Sequence, residues 1–426
     1  MNALPADSWY EASVRRSALA PALAGDIDAD VCVVGGGLSG CFTALHLAER
    51  GYRVVLLEAE CIGFGASGRS GGQLIPGYAS GQQKLENQLG AADARRLWDF
   101  SVEGVDMVRD RVQRHAIDCD LAWGHIHVGI KPRQRDELKE WQRELEDKYD
   151  YRSLTFLERD AVAGYIASKR YIAGMLDSRS GHLHPLKYTL GIAAAAQSAG
   201  TRLFENCAAT SIEHGATVTV RTAGGSVRAK QVALCCNIWQ GEVAPKAGRK
   251  IMSIATYIVA TTPLGAERAQ SLLRDNIAVA DINWIIDYYR LSSDQRLLFG
   301  GRVSYSGLDP IGTARATRKR MLNVFPQLAD VGIDFAWGGF IDITMNRAPN
   351  FGRIAPNVYF LQGFSGHGMV LAGIAGKIAA EAIAGQAERF DVFARLRHHE
   401  FPGGMWLRRP TLVMAMLWFR LKDLMP

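Results

Sequence analysis

The chain has 426 residues, 48% apolar and 22% charged, an ordinary globular composition with length enough for large cores and two domains. Its formal charge of +6 and pI near 8.9 come without a long basic run, which argues against nucleic acid and suits an acidic small molecule or an anionic cofactor. Seven scattered cysteines, odd in number and without CxxC spacing, fit reduced thiols in a cytoplasm better than a disulfide framework.

The start, MNALPADSWYEASVRRS, has no apolar h-region, so no secretory signal is expected and the protein is placed in the cytoplasm. Residues 28–60, DADVCVVGGGLSGCFTALHLAERGYRVVLLEAE, then predict strand, glycine turn, helix and strand. Val31, Val33 and Val34 form a short buried β-run. Gly35, Gly37 and Gly40 follow at GxGxxG spacing, and Leu38, Cys41, Leu45 and Ala48 recur at helical period. Gly51 ends the helix and Glu58 closes the second strand. In such a βαβ unit the glycines let the backbone approach a pyrophosphate held on the helix N-terminus, while the terminal carboxylate accepts from ribose hydroxyls. The dinucleotide site therefore takes in Gly35, Gly37, Leu38, Ser39, Gly40, Glu58 and Ala59.

An NAD enzyme would continue the parallel sheet directly with a further helix and strand. Here the strand runs into CIGFGASGRSGGQL, residues 61–74, whose five glycines bring the backbone against the ribityl chain and ring of an extended FAD. Gly65, Ala66, Ser67, Gly68, Arg69, Ser70, Gly72, Gln73 and Leu74 are the expected contacts. An exposed flexible linker would leave Phe64 and the apolar QLIP exit unexplained.

Further along, 131–148 is dense in both signs of charge and predicts a solvated helix face. Residues 181–240 give a helix and then strands, of which KQVALCCNIW returns to the nucleotide unit with Cys236 and Trp239 at its end. MSIATYIVATTP and QRLLFGGRVSY have strand composition. A second strand, glycine turn and helix falls at 356–385, with Val358–Leu361 as the β-run. Its Gly363, Gly366, His367, Gly368, Met369 and Val370 aim another helix start at the flavin. The tail WLRRPTLVMAMLWFRLKDLMP is too short in its apolar part to span a bilayer. It either packs on the protein or a partner subunit, or lies on a membrane surface.

Together, VVGGGLSG, GFGASGRSGGQ and LQGFSGHGMVLAGIAGKIAAE resemble the FAD-dependent D-amino-acid oxidase, glycine oxidase and sarcosine oxidase superfamily. SWYEAS, YYRLSSDQRLLFGGR and AWGGFIDITMNRAPNFGRI are similar to γ-glutamylputrescine oxidoreductases within it. The resemblance implies an α/β FAD-binding domain, Rossmann-like and of glutathione-reductase type, with a second α+β, mostly antiparallel-sheet substrate domain. The FAD domain would comprise 27–85, 181–245 and 349–390, the substrate domain 86–180 and 246–348, and a basic amphipathic tail 391–426. It also implies that Ala208 and Ala209 lie beside the adenine.

In glycine and D-amino-acid oxidases an arginine clamps the substrate carboxylate at the position that Ile341 takes here. In sarcosine oxidases a lysine activates oxygen where this chain has Leu298. The covalent flavin cysteine of those oxidases has no match in ITMNRAPNFG, so FAD is expected to be held non-covalently. An aromatic pocket lowers the cost of binding a neutral amine, with Trp239, Trp284, Tyr288, Tyr289 and His367 as walls; His367, Trp284 and Tyr288 are the catalytic assignments. Arg290, Arg302 and Arg347 compete to hold a distal carboxylate, and no metal site is expected.

Three functions follow. The first is oxidation of a γ-glutamylated polyamine to the aldehyde. The second is dehydrogenation of another primary or secondary amine with electrons passed to a membrane quinone. The third is a non-catalytic flavoprotein subunit.

Overall fold

The computed structural model describes residues 8–17, 19–241, 243–304 and 312–402. Five parallel strands lie in the order β7 (Arg202–Phe204), β2 (Val54–Leu57), β1 (Ile27–Val34), β10 (Gly225–Leu234) and β17 (Val358–Gln362). β16 (Asn350–Ala355) pairs antiparallel on the β17 edge, and the hairpin of β8 (Ser211–Glu213) and β9 (Val218–Thr222) feeds β10. Val31, Cys32, Val33 and Val34 are all buried because this part of the sheet is covered on both faces, which is why the run reads as continuous rather than alternating.

The second sheet runs β15 (Ile333–Ile343), β11 (Met252–Thr261), β14 (Leu297–Ser304), β13 (Tyr288–Leu291), β12 (Ala278–Asp281), β4 (Ala122–Gly129), β6 (Ala173–His182) and β3 (Gln73–Leu74), with β5 (Leu154–Glu158) also on β6. Its pairs are antiparallel except β12 with β4. One face packs Ile126, Val128, Val279, Tyr289 and Phe299 against Phe325 and Leu328. The other face meets the glycine loop between β2 and β3.

Two unit boundaries drawn on the sequence shift. Helix Ala91–Arg114, expected with the second unit, contributes Leu97, Phe100, Val105 and Met107 to the core of the first. Gly104 allows this approach, since a Cβ there would lie 2.7 Å from Val370 Cγ1. Gln73 and Leu74, expected with the first unit, pair with His182 and Gly181 of the second sheet. An amphipathic stripe shows that an element has a buried face, but not which sheet receives it.

Helix Pro132–Tyr149 buries Gln134, Leu138, Leu145 and Tyr149 and turns its charges outward. Among the described residues no single helix is long and apolar enough to cross a membrane. The tail singled out in the sequence lies, from residue 403 on, outside the described residues.

Candidate active site

The glycines of the two turns do different work. A Cβ on Gly35, which has φ +110°, would sit 2.5 Å from Cys235 O; on Gly40, 1.9 Å from Gly35 O; on Gly68, 2.2 Å from Gly63 O; on Gly72, 2.1 Å from Leu183 O. The chain needs these glycines to close on itself. At Gly37, Gly65, Gly71 and Gly366 a Cβ would instead meet only side chains: Ser67 Oγ at 3.0 Å, the Trp239 ring at 2.9 Å, the Tyr288 ring at 2.7 Å and Ile341 Cδ1 at 3.4 Å. At these four positions the missing side chain keeps the backbone close to Ser67, Trp239, Tyr288 and Ile341, and a glycine backbone bare on this side fits an extended dinucleotide.

At the nucleotide end, helix Leu38–Ala48 starts on Gly37 without a side-chain cap. The Leu38 N–H donates to Ser67 Oγ at 2.9 Å, and the first turn of the helix offers further N–H groups to an anion. Glu58 accepts from the Gly36 N–H at 2.5 Å and the Glu60 N–H at 3.0 Å. Burial pushes its pKa up and these two donors pull it back down. The Cys207 N–H donates to Glu58 O, which brings the backbone of Ala208 and Ala209 alongside Glu58 and Ala59. Ser39 is buried with its carbonyl accepting from Thr43 Oγ1, and Cys236 Sγ lies 3.5 Å from Val34 O. On the reading that Glu58 holds the ribose, Glu58→Gln should weaken FAD binding by about ten-fold, because the amide accepts only one of the Gly36 and Glu60 N–H groups and makes a neutral instead of a charge-assisted ribose hydrogen bond. Turnover of the saturated enzyme should stay near wild type, and flavin titration with steady-state rates checks both.

At the flavin end, Arg69 is pinned by its Nε on Phe64 O at 2.8 Å, its guanidinium lies 5.4 Å from the Phe64 ring centroid, and its carbonyl accepts from Trp337 Nε1 at 3.1 Å. Ser70 Oγ donates to Met369 Sδ at 3.0 Å, joining the two glycine turns. Ala66 lies in the short turn Ala66–Gly68, while Leu74 and Val370 are buried in the first core. Gln73 Nε2 donates to Val279 O, and its Oε1 is 3.3 Å from His125 Nε2. Trp239, 36% exposed, stands between Phe64 and Phe340 over Gly65.

His367 precedes Gly368 at the start of helix Gly368–Ile383, with its Nε2 at 3.1 Å from Ile75 O and 3.3 Å from Pro76 O. Those carbonyls require the proton on Nε2, and burial lowers the pKa, so the ring is neutral. Gly363 donates its N–H to the buried Asp342 carboxylate, fixing the turn beneath it.

Tyr288 faces the glycine loop, its ring lying over Gly300 and against Gly71. Three other expectations need correction. Tyr289 is buried in the core of the second sheet, where its hydroxyl meets Tyr171 Oη at 2.9 Å, because successive strand residues point to opposite faces. Arg290 is already committed, with Nε on Gly71 O at 2.7 Å, one amino group on Tyr10 Oη at 3.1 Å and the other on Leu291 O; it clamps the loop rather than a substrate carboxylate. Trp284, 57% exposed, belongs to the rim segment between β12 and β13 instead of a wall.

The Arg302 side chain lies outside the described residues, and Arg347 follows β15 with φ +63°. Ile341 packs with Met252, Ile254, Ile343 and Ile285, and Leu298 is buried with Tyr10, Ile258 and Trp337. The sequence reading missed Tyr10. Its only signal was an aromatic pair, Trp9–Tyr10, in an otherwise polar start, and both side chains are buried.

The rim segment is anchored by two buried acids. Asp281 accepts from the Asn283 and Asp287 N–H groups, and Asp287 accepts from Arg320 Nε at 2.7 Å. Burial, then the Asp287 charge, pushes Asp281 up to about 7. A carboxyl raised above its unfolded value near 3.9 is protonated more readily in the fold. Its stabilisation is complete below about pH 4 and is lost as pH rises toward 7, on the order of 2–4 kcal/mol. Asp281→Asn should flatten that decline, as read by unfolding midpoints across pH.

Residues 30–382 match the family model of the FAD dependent oxidoreductases (DAO). Over 417 residues, 98% of this chain and 98% of the relative, the sequence is 42% identical to gamma-glutamylputrescine oxidoreductase of Escherichia coli strain K12. It is 39% identical to the probable oxidoreductase OrdL of Haemophilus influenzae, covering 98% of this chain and 97% of that one. Among solved structures it is similar to glycine oxidase from Geobacillus kaustophilus, with TM-score 0.74 and 20% identity over 87% of this chain and 99% of the other. L-proline dehydrogenase from P. horikoshii gives TM-score 0.69 and 20% identity over 88% and 98%. With the glycine turns in place and the match running nearly end to end, the chain belongs to the DAO family of FAD-dependent oxidoreductases, takes FAD as its cofactor and acts on CH–NH groups.

Proposed function

We propose that the chain oxidises a γ-glutamylated polyamine such as γ-glutamylputrescine at its free amine end. The 42% identity to the E. coli enzyme over 98% of both chains carries this reading. The parallel sheet would be the Rossmann-like FAD unit, and the larger, mostly antiparallel sheet the substrate unit. Non-covalent attachment is supported by the stretch ITMNRAPNFG, which has no cysteine.

FAD, when bound, accepts a hydride from the carbon bearing the amine. The chain's task is to present that carbon with the nitrogen lone pair free. An alkylammonium of pKa ~10.4 is neutral about once in two thousand at pH 7, a cost of about 4–5 kcal/mol. Tyr288, Ile341 and the neutral His367 bring aromatic, aliphatic and imidazole groups, which favour an uncharged amine over an ammonium ion. The substrate loses two electrons and two protons to become an imine, and water then splits the imine to aldehyde and ammonia. Anaerobic mixing with γ-glutamylputrescine should bleach the flavin, while free putrescine should do so far less well. Equal bleaching by both would remove the γ-glutamyl requirement.

A further inference from the structure

Strand register continues the face of Tyr288 onto the neighbouring strands. Directly opposed residues of paired strands point to the same face. Tyr288 opposes Ala280, and Ala280 opposes His127. Tyr288, Ala280 and His127 thus form one row on the face that meets the glycine loop, with only the buried methyl group of Ala280 between the two rings. Beyond His127, Ala173 and Met175 of β6 are covered by Trp98, Leu138 and Leu145, so the row is closed there.

His127 itself is half-buried, 4.9 Å from the Trp141 ring at an interplanar angle of 68° and 4.4 Å from the His125 ring. His125 and His182 each give a ring nitrogen to Gln73 Oε1 or Asn276 O, whereas His127 meets no hydrogen-bond partner among the described residues. Burial, and then His367, hold its pKa down to about 3, so it is neutral and carries one donor and one acceptor.

We propose that His127 is a substrate-binding residue that recognises the secondary amide of an acylated diamine while the reacting amine lies beside Tyr288. This rests on the substrate reading given above. A secondary amide also carries one donor and one acceptor, the complement of a neutral imidazole. Two strand spacings separate the Tyr288 and His127 backbones by roughly 10 Å. A four-carbon spacer of five bonds covers about 6 Å of that when extended, and the amide carbonyl beyond it adds about 2 Å. A free diamine would instead drive a second ammonium into this closed end, losing its hydration without an anionic partner. Acylation removes that charge, which gives the γ-glutamyl group a physical purpose at the site.

The test compares FAD-loaded, full-length His127→Phe, His127→Gln and Ala280→Leu in anaerobic titrations with γ-glutamylputrescine and with an n-alkylamine of equal length. His127→Phe should raise the half-bleaching concentration for the amide about ten-fold or more, the expected effect of one lost buried hydrogen bond, and shift the alkylamine much less. His127→Gln, which keeps a donor and an acceptor, should recover most of that loss. Ala280→Leu puts a larger side chain between the two rings and should weaken both long ligands while sparing propylamine, an outcome that stands even if the phenylalanine variant does not fold. Equal weakening of amide and alkylamine by His127→Phe, or equal effects of Ala280→Leu on long and short amines, overturns the assignment. A wild type left oxidised by γ-glutamylputrescine would remove the substrate reading and this inference with it. A bleached wild type matched by His127→Phe would remove this inference alone.

Discussion

Gly37→Val protein should purify folded but colourless. Gly37 has φ −82° and ψ −178°, extended backbone that a β-branched residue adopts without strain. The nearest obstacle to its Cβ is Ser67 Oγ at 3.0 Å, and that hydroxyl is the acceptor of the Leu38 N–H. Valine would therefore push Ser67 off the helix start and set its own methyl groups across the pyrophosphate's approach, with little effect on the sheet beneath. Displacing a close backbone contact of this kind costs about 3 kcal/mol, or at least two orders of magnitude in FAD affinity. Absorbance of the purified protein gives the flavin content, and circular dichroism with a cooperative unfolding transition shows the fold. Gly40→Val is the contrast: its Cβ would lie 1.9 Å from Gly35 O, so that variant should fail to fold. Wild-type flavin content in Gly37→Val would move the pyrophosphate away from this turn.

What the sequence could convey divides along a physical line. The βαβ unit is legible because its signals are local: a strand buried on both faces reads as a valine run, and the glycines that close the turn sit beside it. The second turn at Gly363–Gly368 is legible for the same reason. The other wall of the site depends on long-range pairing. Tyr288 and Tyr289 are adjacent and chemically alike, yet one covers Gly71 and the other is buried against Phe299 and Phe325. Alternation predicts that they part, but only the neighbours of β13 decide which faces the glycine loop. Arg290 reads as an available cation until its partners Gly71 and Tyr10, more than 200 residues away, are in place. His127 carries no motif at all. It becomes a site residue because β12 pairs parallel with β4 and sets it in line with Tyr288 through an alanine.

Glycine, sarcosine and D-alanine should leave the flavin oxidised under anaerobic conditions that allow γ-glutamylputrescine to bleach it. The reason is Ile341. It lies on β15 in an aliphatic cluster with Met252, Ile254 and Ile343, and its Cδ1 reaches toward Gly366 at the start of the second glycine turn. An α-carboxylate bound there would give up its hydration to aliphatic carbon. An unpaired buried charge costs several kcal/mol, enough to lower the rate with small α-amino acids by roughly three orders of magnitude. A substrate whose carboxylate lies beyond this cluster avoids that cost. The same comparison tests the electron acceptor. Leu298 is buried with Tyr10, Ile258 and Trp337 and itself supplies no positive charge. Oxygen gains most from a fixed positive charge as it takes up negative charge, so reoxidation by air should be slow and an artificial acceptor faster. Stopped-flow absorbance reads both halves of the cycle separately. Rapid bleaching by D-alanine would show that a small amino acid finds a counter-ion in the site and would end the polyamine assignment. Fast reoxidation by air would leave that assignment standing and remove only the role given to Leu298.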